Sequence, residues 1–172
     1  VKPNDVSAMK VALVGLGIQG QKRNAVASSD LVATVDPYQP DAQYRSIEDV
    51  PLNDYDAAIL CIPDEPKIST IEYLLNNGKH LLVEKPLFAG KPSDLLRLKE
   101  LAQTKRVVCY TAYNHRFEPH FVRMKQLIES GRLGRIYSLR MFYGNGTARL
   151  VRDSAWRDQG AGVLHDLGSH LL

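Results

Sequence analysis

The run Gly15-Leu16-Gly17-Ile18-Gln19-Gly20 constrains this chain more than any other, because of what stands on either side of it. Before it, residues 10–15 (K-V-A-L-V-G) form a short apolar stretch rich in β-branched residues and ended by glycine, the composition of a strand buried on both faces. After it, residues 18–28 read as a helix and residues 31–35 as a second strand. Three glycines at this spacing in a strand-to-helix turn have separate tasks. The first permits the tight turn, the second lets a ligand approach the backbone, and the third lets helix and strand pack closely. The N–H groups and dipole at the helix start then favour an anion, and the pyrophosphate of a dinucleotide suits them.

The alternation continues. Residues 55–62 (Y-D-A-A-I-L-C-I) read as a buried strand, followed by a helix with Pro66 in its first turn that runs to Asn76 or Asn77 and stops at Gly78. Residues 80–83 form the next strand, a helix runs from Pro92 to about Gln103, and residues 107–112 form another strand. Only seven residues, including Pro37 and Pro40, separate Asp36 from an extended stretch at Tyr44. A parallel crossover normally takes about a dozen residues including its helix, so the helix expected there shrinks to a turn. This pattern predicts an α/β fold, a Rossmann-type doubly wound parallel sheet, over residues 9–113 after a flexible leader of residues 1–8.

Beyond Ala112 the pattern changes to an amphipathic helix over residues 119–130 stopped by Gly131, an alternating strand over 135–143, and the start of another helix over 161–172. Residues 114–172 therefore read as the beginning of an α+β substrate and oligomerisation domain, too small for a closed core and cut off before its sheet, so residues 1–172 alone are expected to bind cofactor but to turn over little or no sugar.

Bulk properties exclude several classes of function. Apolar residues make up 44% and charged residues 24% of the chain, the range of a globular protein. The 22 Lys and Arg against 19 Asp and Glu give a net charge of +3, spread along the chain, so no nucleic-acid surface is expected. No run is long and apolar enough to span a membrane, and no signal peptide opens the chain. Cys61 and Cys109 lie in or at the end of apolar strands and fit a reducing compartment, so a cytoplasmic location is expected. No metal-ligand spacing is present.

Four groups of residues carry possible chemistry. Asp36 lies 21 residues after Gly15, where a carboxylate accepts hydrogen bonds from the adenosine ribose and repels a 2′-phosphate, favouring NAD over NADP. Its other reading is a turn-initiating Asp before Pro37. Glu84-Lys85-Pro86 follows the strand at residues 80–83 on its carboxyl side, where open α/β sheets place ligands and a lysine can donate to a hydroxyl. The alternative is a surface Glu–Lys pair before a turn proline. Asp166 and His170, four apart, share a helix face, either as acid/base and orienting groups or as a solvated face. Arg149 and Arg152 lie in or beside a glycine-rich loop, between Arg140 and Arg157, and suit an anionic substrate group unless the loop is simply basic and solvated.

Taken together, the sequence resembles the glucose–fructose oxidoreductase/inositol dehydrogenase (Gfo/Idh/MocA) family over residues 9–172. Five matches carry this in order: G-L-G-I-Q-G, the run G-K-H-L-L-V-E-K-P at residues 78–86, N-H-R-F at 114–117, Trp156-Arg157, and G-A-G-V-L-H-D-L-G-S-H at 160–170. The resemblance implies a nicotinamide-dependent oxidoreductase that moves a hydride between NAD(P) and a hydroxyl-bearing carbon of a sugar or sugar derivative, nucleotide-linked and acidic sugars included. Residue by residue, it implies Lys85 at the reacting hydroxyl after a cis Lys85–Pro86 peptide, Asp166 orienting the sugar, and His170 as general acid/base. It further implies that Cys61, Ile62, Pro63 and Glu84 line the cofactor cleft, that Trp156 and Arg157 touch its nicotinamide side, and that Asn114 and Arg116 stand between cofactor and substrate. A homo-oligomer through a C-terminal sheet is implied as well. The sequence departs from the family where Ile62-Pro63-Asp64 replaces a common Thr-Pro-Asn, where Lys67 stands at a common His, and where Ala161 replaces a common glycine. A non-catalytic dinucleotide-binding regulator on the same scaffold is the competing reading; Lys85, Asp166 and His170 together favour the enzyme.

Overall fold

In the computed structural model, residues 9–87, 90–142 and 168 are described. Residues 1–112 and 113–172 form two separate compact units. In the first, the elements run β1 (Val11–Val14), α1 (Ile18–Ala27), β2 (Leu31–Val35), β3 (Ala57–Leu60), α2 (Asp64–Asn76), β4 (His80–Val83), α3 (Pro92–Lys105) and β5 (Cys109–Thr111).

The five strands make one parallel sheet in the order β2-β1-β3-β4-β5. A single parallel bridge from Val35 to Tyr44 extends it beyond β2. The chain thus travels outward from β1 to β2 and Tyr44, then returns past β1 to β3. That reversal opens a crevice at the carboxyl ends of β1 and β3, the place where doubly wound sheets bind ligands.

The crossover from β2 to β3 contains no α-helix, only short 3-10 turns at Ile47–Asp49 and Leu52–Asp54. The shortened crossover expected from Pro37 and Pro40 is what the chain forms. Ser46 and Asp49 close the first of these turns with a reciprocal capping box, in which Ser46 N–H donates to Asp49 Oδ2 at 3.2 Å.

Burial explains the strand composition. All four β1 residues are buried, as a strand covered on both faces requires. On α2 the buried positions are Lys67, Ile71, Leu74 and Leu75, spaced as one helical face. Each of the three apolar side chains contributes roughly 1.5–3 kcal/mol by leaving water. Gly78 stops α2 in the left-handed region at φ 71°, so that Lys79 N–H can reach back to the Leu74 carbonyl at 3.0 Å. The helix starts at Asp64, two residues before Pro66; the proline costs nothing there because first-turn N–H groups lack helical partners anyway.

In the second unit, a 3-10 turn at Asn114–Phe117 leads into α4 (Pro119–Glu129). The strand expected over residues 135–143 is a correction: residues 135–142 are in no sheet ladder among the described residues. Alternating side chains give a segment its faces, but a strand exists only where a neighbour completes its backbone hydrogen bonds. Among the described residues no helix is long and apolar enough to cross a membrane.

Candidate functional site

The glycine turn separates its three tasks physically. Gly15 has φ 91°, and a Cβ there would lie 2.4 Å from the Cys61 carbonyl oxygen. A Cβ on Gly20 would lie 1.9 Å from the Gly15 carbonyl oxygen, so helix and strand meet at this point with no room for a methyl group. A Cβ on Gly17 would meet nothing within 4 Å. The close approaches are thus confined to the first and third glycines, and the second faces open space. Gly17 is also the N-cap of α1, offers no side-chain cap, and is followed by a first turn without an acidic residue. This is the kind of cradle a pyrophosphate suits, with first-turn N–H groups and the positive helix end and no acidic residue in the first turn of α1 itself. Ile18 and Gln19 lie in that first turn, with Ile18 well exposed.

The turn is lashed to both neighbouring strands. Gly15 N–H donates to the Val35 carbonyl at 2.8 Å, and Cys61 N–H donates to the Val14 carbonyl at 2.7 Å. Asp36, 8% exposed, adds a side-chain tie. Its Oδ2 accepts from Leu16 N–H at 2.8 Å, inside the glycine turn, while Oδ1 accepts from Tyr38 N–H at 2.8 Å and Gln39 N–H at 3.0 Å. Burial pushes the Asp36 carboxyl up, but the three N–H donors and the Arg45 charge outweigh it and hold it below its usual value. The backbone contacts at Tyr38 and Gln39 are those of the turn-initiating reading of Asp36; with Leu16 they use three of a carboxylate's roughly four acceptor positions.

At the crevice floor, Cys61, Ile62 and Pro63 follow β3 directly. Burial, then the Glu84 carboxylate, push the Cys61 thiol up to about 12 against the pull of Arg23 and Lys67. The thiol is a packing group here, not a nucleophile. Both cysteines are free.

Glu84, 9% exposed, directly follows β4. Its N–H donates to the Leu60 carbonyl at 2.8 Å, and its Oε1 accepts from Arg23 Nε on α1 at 2.6 Å, with Arg23 Nη2 completing the pair. Lys85 follows, half-buried, and the Lys85–Pro86 peptide is cis, as the resemblance implied. Lys67 Nζ lies beneath this segment, donating to Asp64 Oδ1 at 2.6 Å, to the Pro86 carbonyl at 2.7 Å and to the Glu84 carbonyl at 3.4 Å. The first unit therefore brings together Gly15, Gly17, Gly20, Asp36, Cys61, Ile62, Pro63, Glu84 and Lys85 at the carboxyl ends of neighbouring strands.

Asn114 and Arg116 belong to the second unit, where the Arg116 guanidinium carbon lies 5.7 Å from the Phe117 ring centre. That unit has a cavity of its own, about 280 Å³, lined by His115, Glu118, His120, Phe121, Met124, Met141 and Phe142. There Glu118 pairs with His115 and, at 3.3 Å, with His120. Arg149, Arg152, Trp156, Arg157, Asp166 and His170 lie outside the described residues. Among the described residues no three His, Cys, Asp or Glu side chains converge as a metal site.

Sequence reasoning missed Arg23 and the role of Lys67. For Arg23 there was no signal, since a basic residue one turn into a helix is commonplace. Lys67 did carry one: a lysine at an apolar position of the stripe shared with Ile71, Leu74 and Leu75.

The profile of the oxidoreductase family with an NAD-binding Rossmann fold, Gfo/Idh/MocA, matches residues 9–113, and that of the family's C-terminal domain matches residues 121–172. The chain belongs to the Gfo/Idh/MocA family. An uncharacterized oxidoreductase of Schizosaccharomyces pombe is 33% identical over 117 residues, covering 66% of this chain and 31% of that protein. The scyllo-inositol 2-dehydrogenase (NADP(+)) IolW of Bacillus subtilis is 26% identical over 189 residues, covering 97% of this chain and 51% of its own. The chain thus spans a third to a half of the length of these family members. Among solved structures, the WlbA dehydrogenase of Chromobacterium violaceum, in complex with NADH and UDP-GlcNAcA, shares the fold with a TM-score of 0.68 at 22% identity, covering 80% of this chain and 44% of that one.

Proposed function

We propose that this protein is an NAD-preferring oxidoreductase that acts on a hydroxyl-bearing carbon of a sugar or polyol. The observation that carries the reading is the convergence, at one sheet edge, of an open glycine cradle at Gly17 and of Lys85 at the end of β4. When bound, the nicotinamide supplies the hydride acceptor or donor. The chain's own residues do the rest. The α1 N-terminus holds the pyrophosphate, and Asp36 offers its remaining acceptor position to the adenosine ribose. Lys85 donates a hydrogen bond to the reacting hydroxyl, and His170, with Asp166 orienting the sugar, takes the proton that leaves that oxygen as its carbon becomes a carbonyl. By the family resemblance, Asn114, Trp156 and Arg157 are assigned to the cofactor and Arg116 to the sugar.

Preference for NAD follows from charge. Asp36 is held below its usual carboxylate range, so it is ionised at neutral pH, and a 2′-phosphate beside it is repelled. Titration by fluorescence should show NADH binding at least ten times more tightly than NADPH; equal affinities would remove Asp36 from that role. IolW is named as NADP-linked whereas WlbA is seen with NADH, so the family offers both outcomes.

For the substrate, Arg149 and Arg152 favour an anionic sugar, and the UDP-GlcNAcA complex of WlbA supports that class. The test, on the full-length protein, is NADH formation at 340 nm with inositols, levoglucosan, uronic acids and UDP-linked sugars. One of the anionic sugars should be turned over, with Lys85→Met lowering kcat on the order of 100-fold or more while NADH affinity holds. Normal NADH binding with no turnover on any of them would sink the proposal.

A further inference from the structure

The reading of Lys85 as the residue that meets the substrate hydroxyl raises the question of what fixes its direction, and the buried ammonium of Lys67 gives an answer. Lys67 is 2% exposed, on the inward face of α2 one turn before Ile71. An apolar residue would continue that stripe, and burying an ammonium is costly unless every proton finds an acceptor. Three acceptors are present. Asp64, one turn earlier on the same helix and half exposed, supplies the counter-charge at 2.6 Å. The other two are carbonyls on a different segment, those of Pro86 at 2.7 Å and Glu84 at 3.4 Å. They belong to the residues immediately after and before Lys85.

We propose that Lys67 is a positioning residue for Lys85: its buried ammonium grips the carbonyls on both sides of Lys85 and sets the direction in which that side chain leaves the sheet. The far side of the segment is held independently, since Arg23 on α1 grips the Glu84 side chain. Lys85 therefore stands between two anchors on two helices. The Asp64 pair alone would leave Lys67 free to reach outward along its helix, as long cationic side chains usually do; the contacts to Glu84 and Pro86 turn it inward.

The test uses the whole chain and two probes. The first is acetylation of Lys85 by acetic anhydride from pH 7 to 10, read by peptide mass spectrometry against exposed Lys125 as internal standard. Lys67→Met should shift the Lys85 rate profile at least threefold and leave Lys125 and NADH affinity within about threefold, and Lys67→Arg, which keeps the donors, should move the profile back toward the original. An unchanged Lys85 profile in Lys67→Met overturns the proposal. Should that variant not fold, the second probe decides on the unaltered protein: NMR should show hydrogen-bond scalar couplings from Lys67 Nζ to the carbonyl carbons of Pro86 and Glu84, and their absence overturns it. Protection of Lys85 by saturating NADH tests the functional reading separately. Loss of protection with an altered Lys67→Met profile removes Lys85 from the cofactor cleft but leaves the clamp, whereas protection with an unaltered profile does the reverse.

Discussion

Gly17 and Gly20 stand three positions apart in one turn, and a methyl group would do different damage at each. Gly20→Ala places a Cβ 1.9 Å from the Gly15 carbonyl oxygen, so helix and strand must separate. We expect a loss of about 1–3 kcal/mol in stability by urea denaturation, as for other overpacked sites, together with weakened NADH binding. Gly17→Ala meets nothing and should leave stability within about 0.5 kcal/mol while weakening NADH binding, since the methyl group projects into the space left for the phosphates. If both changes destabilise alike, the open face of Gly17 is not a ligand face. Asp36 adds a pH signature. Its folded pKa lies below the usual value of 3.8, so the stability it adds is present above that value and fades as pH falls through the folded one. Asp36→Ala should cost about 1–3 kcal/mol at pH 7, because Leu16 N–H loses its buried acceptor. The gap from the original protein should be constant well above 3.8 and narrow as pH falls below that value toward the lower folded pKa. A gap that widens on acidification would contradict the hydrogen-bond assignment. These three residues were legible in the sequence because each answers to a fixed offset along the chain.

Elements were legible where one helix or strand reports on itself. The bounds of β2 and β4 came from short apolar runs closed by turn residues, and the loss of the second crossover helix followed from Pro37 and Pro40. Helix α3 outran its expected end by two residues because Arg106, not a glycine, takes the left-handed position that closes it, at φ 56°. Residues 135–142 differ from the reading for another reason: their alternation is local, but a ladder needs a second strand, and none pairs with them among the described residues. The Arg23–Glu84 pair was illegible for the same cause, since it joins α1 to the end of β4 across 61 residues. Arg23→Met should therefore act at the level of elements. It leaves the Glu84 carboxylate buried without its partner, and we expect a loss of about 2 kcal/mol on urea denaturation. The cost should shrink when Glu84→Gln is added, so that the double variant is more stable than additivity allows. Strict additivity would mean that the two side chains do not act as a pair.

At the scale of the whole molecule, the reversal of strand order at β1, with β2 on one side and β3 on the other, converts residues distant in sequence into one edge. The glycine turn, Asp36, the segment after Cys61 and the segment around Lys85 come from four separate stretches, and parallel pairing aligns their carboxyl ends. A ligand bridging them should therefore stabilise the unit as a whole rather than one loop. With NADH at about 100 times its Kd, linkage gives about 2.7 kcal/mol, which for a unit of this size raises Tm on the order of 10 °C. Hydrogen exchange should slow together at residues 14–21, 35–39, 61–63 and 84–87, because one molecule closes all four. Slowing confined to the glycine turn would mean that NADH is held by its pyrophosphate alone and that the β4 end is not part of the cofactor site. No rise in Tm at all would mean that the crevice does not take the dinucleotide. NADPH at the same concentration should give a smaller rise, and that difference should disappear in Asp36→Asn, which keeps an oxygen for Leu16 N–H but carries no charge. A difference that survives this substitution would assign the choice of cofactor to other residues of the β2 end, with Arg45, which donates to the Asp36 carbonyl at 3.2 Å, the first to examine.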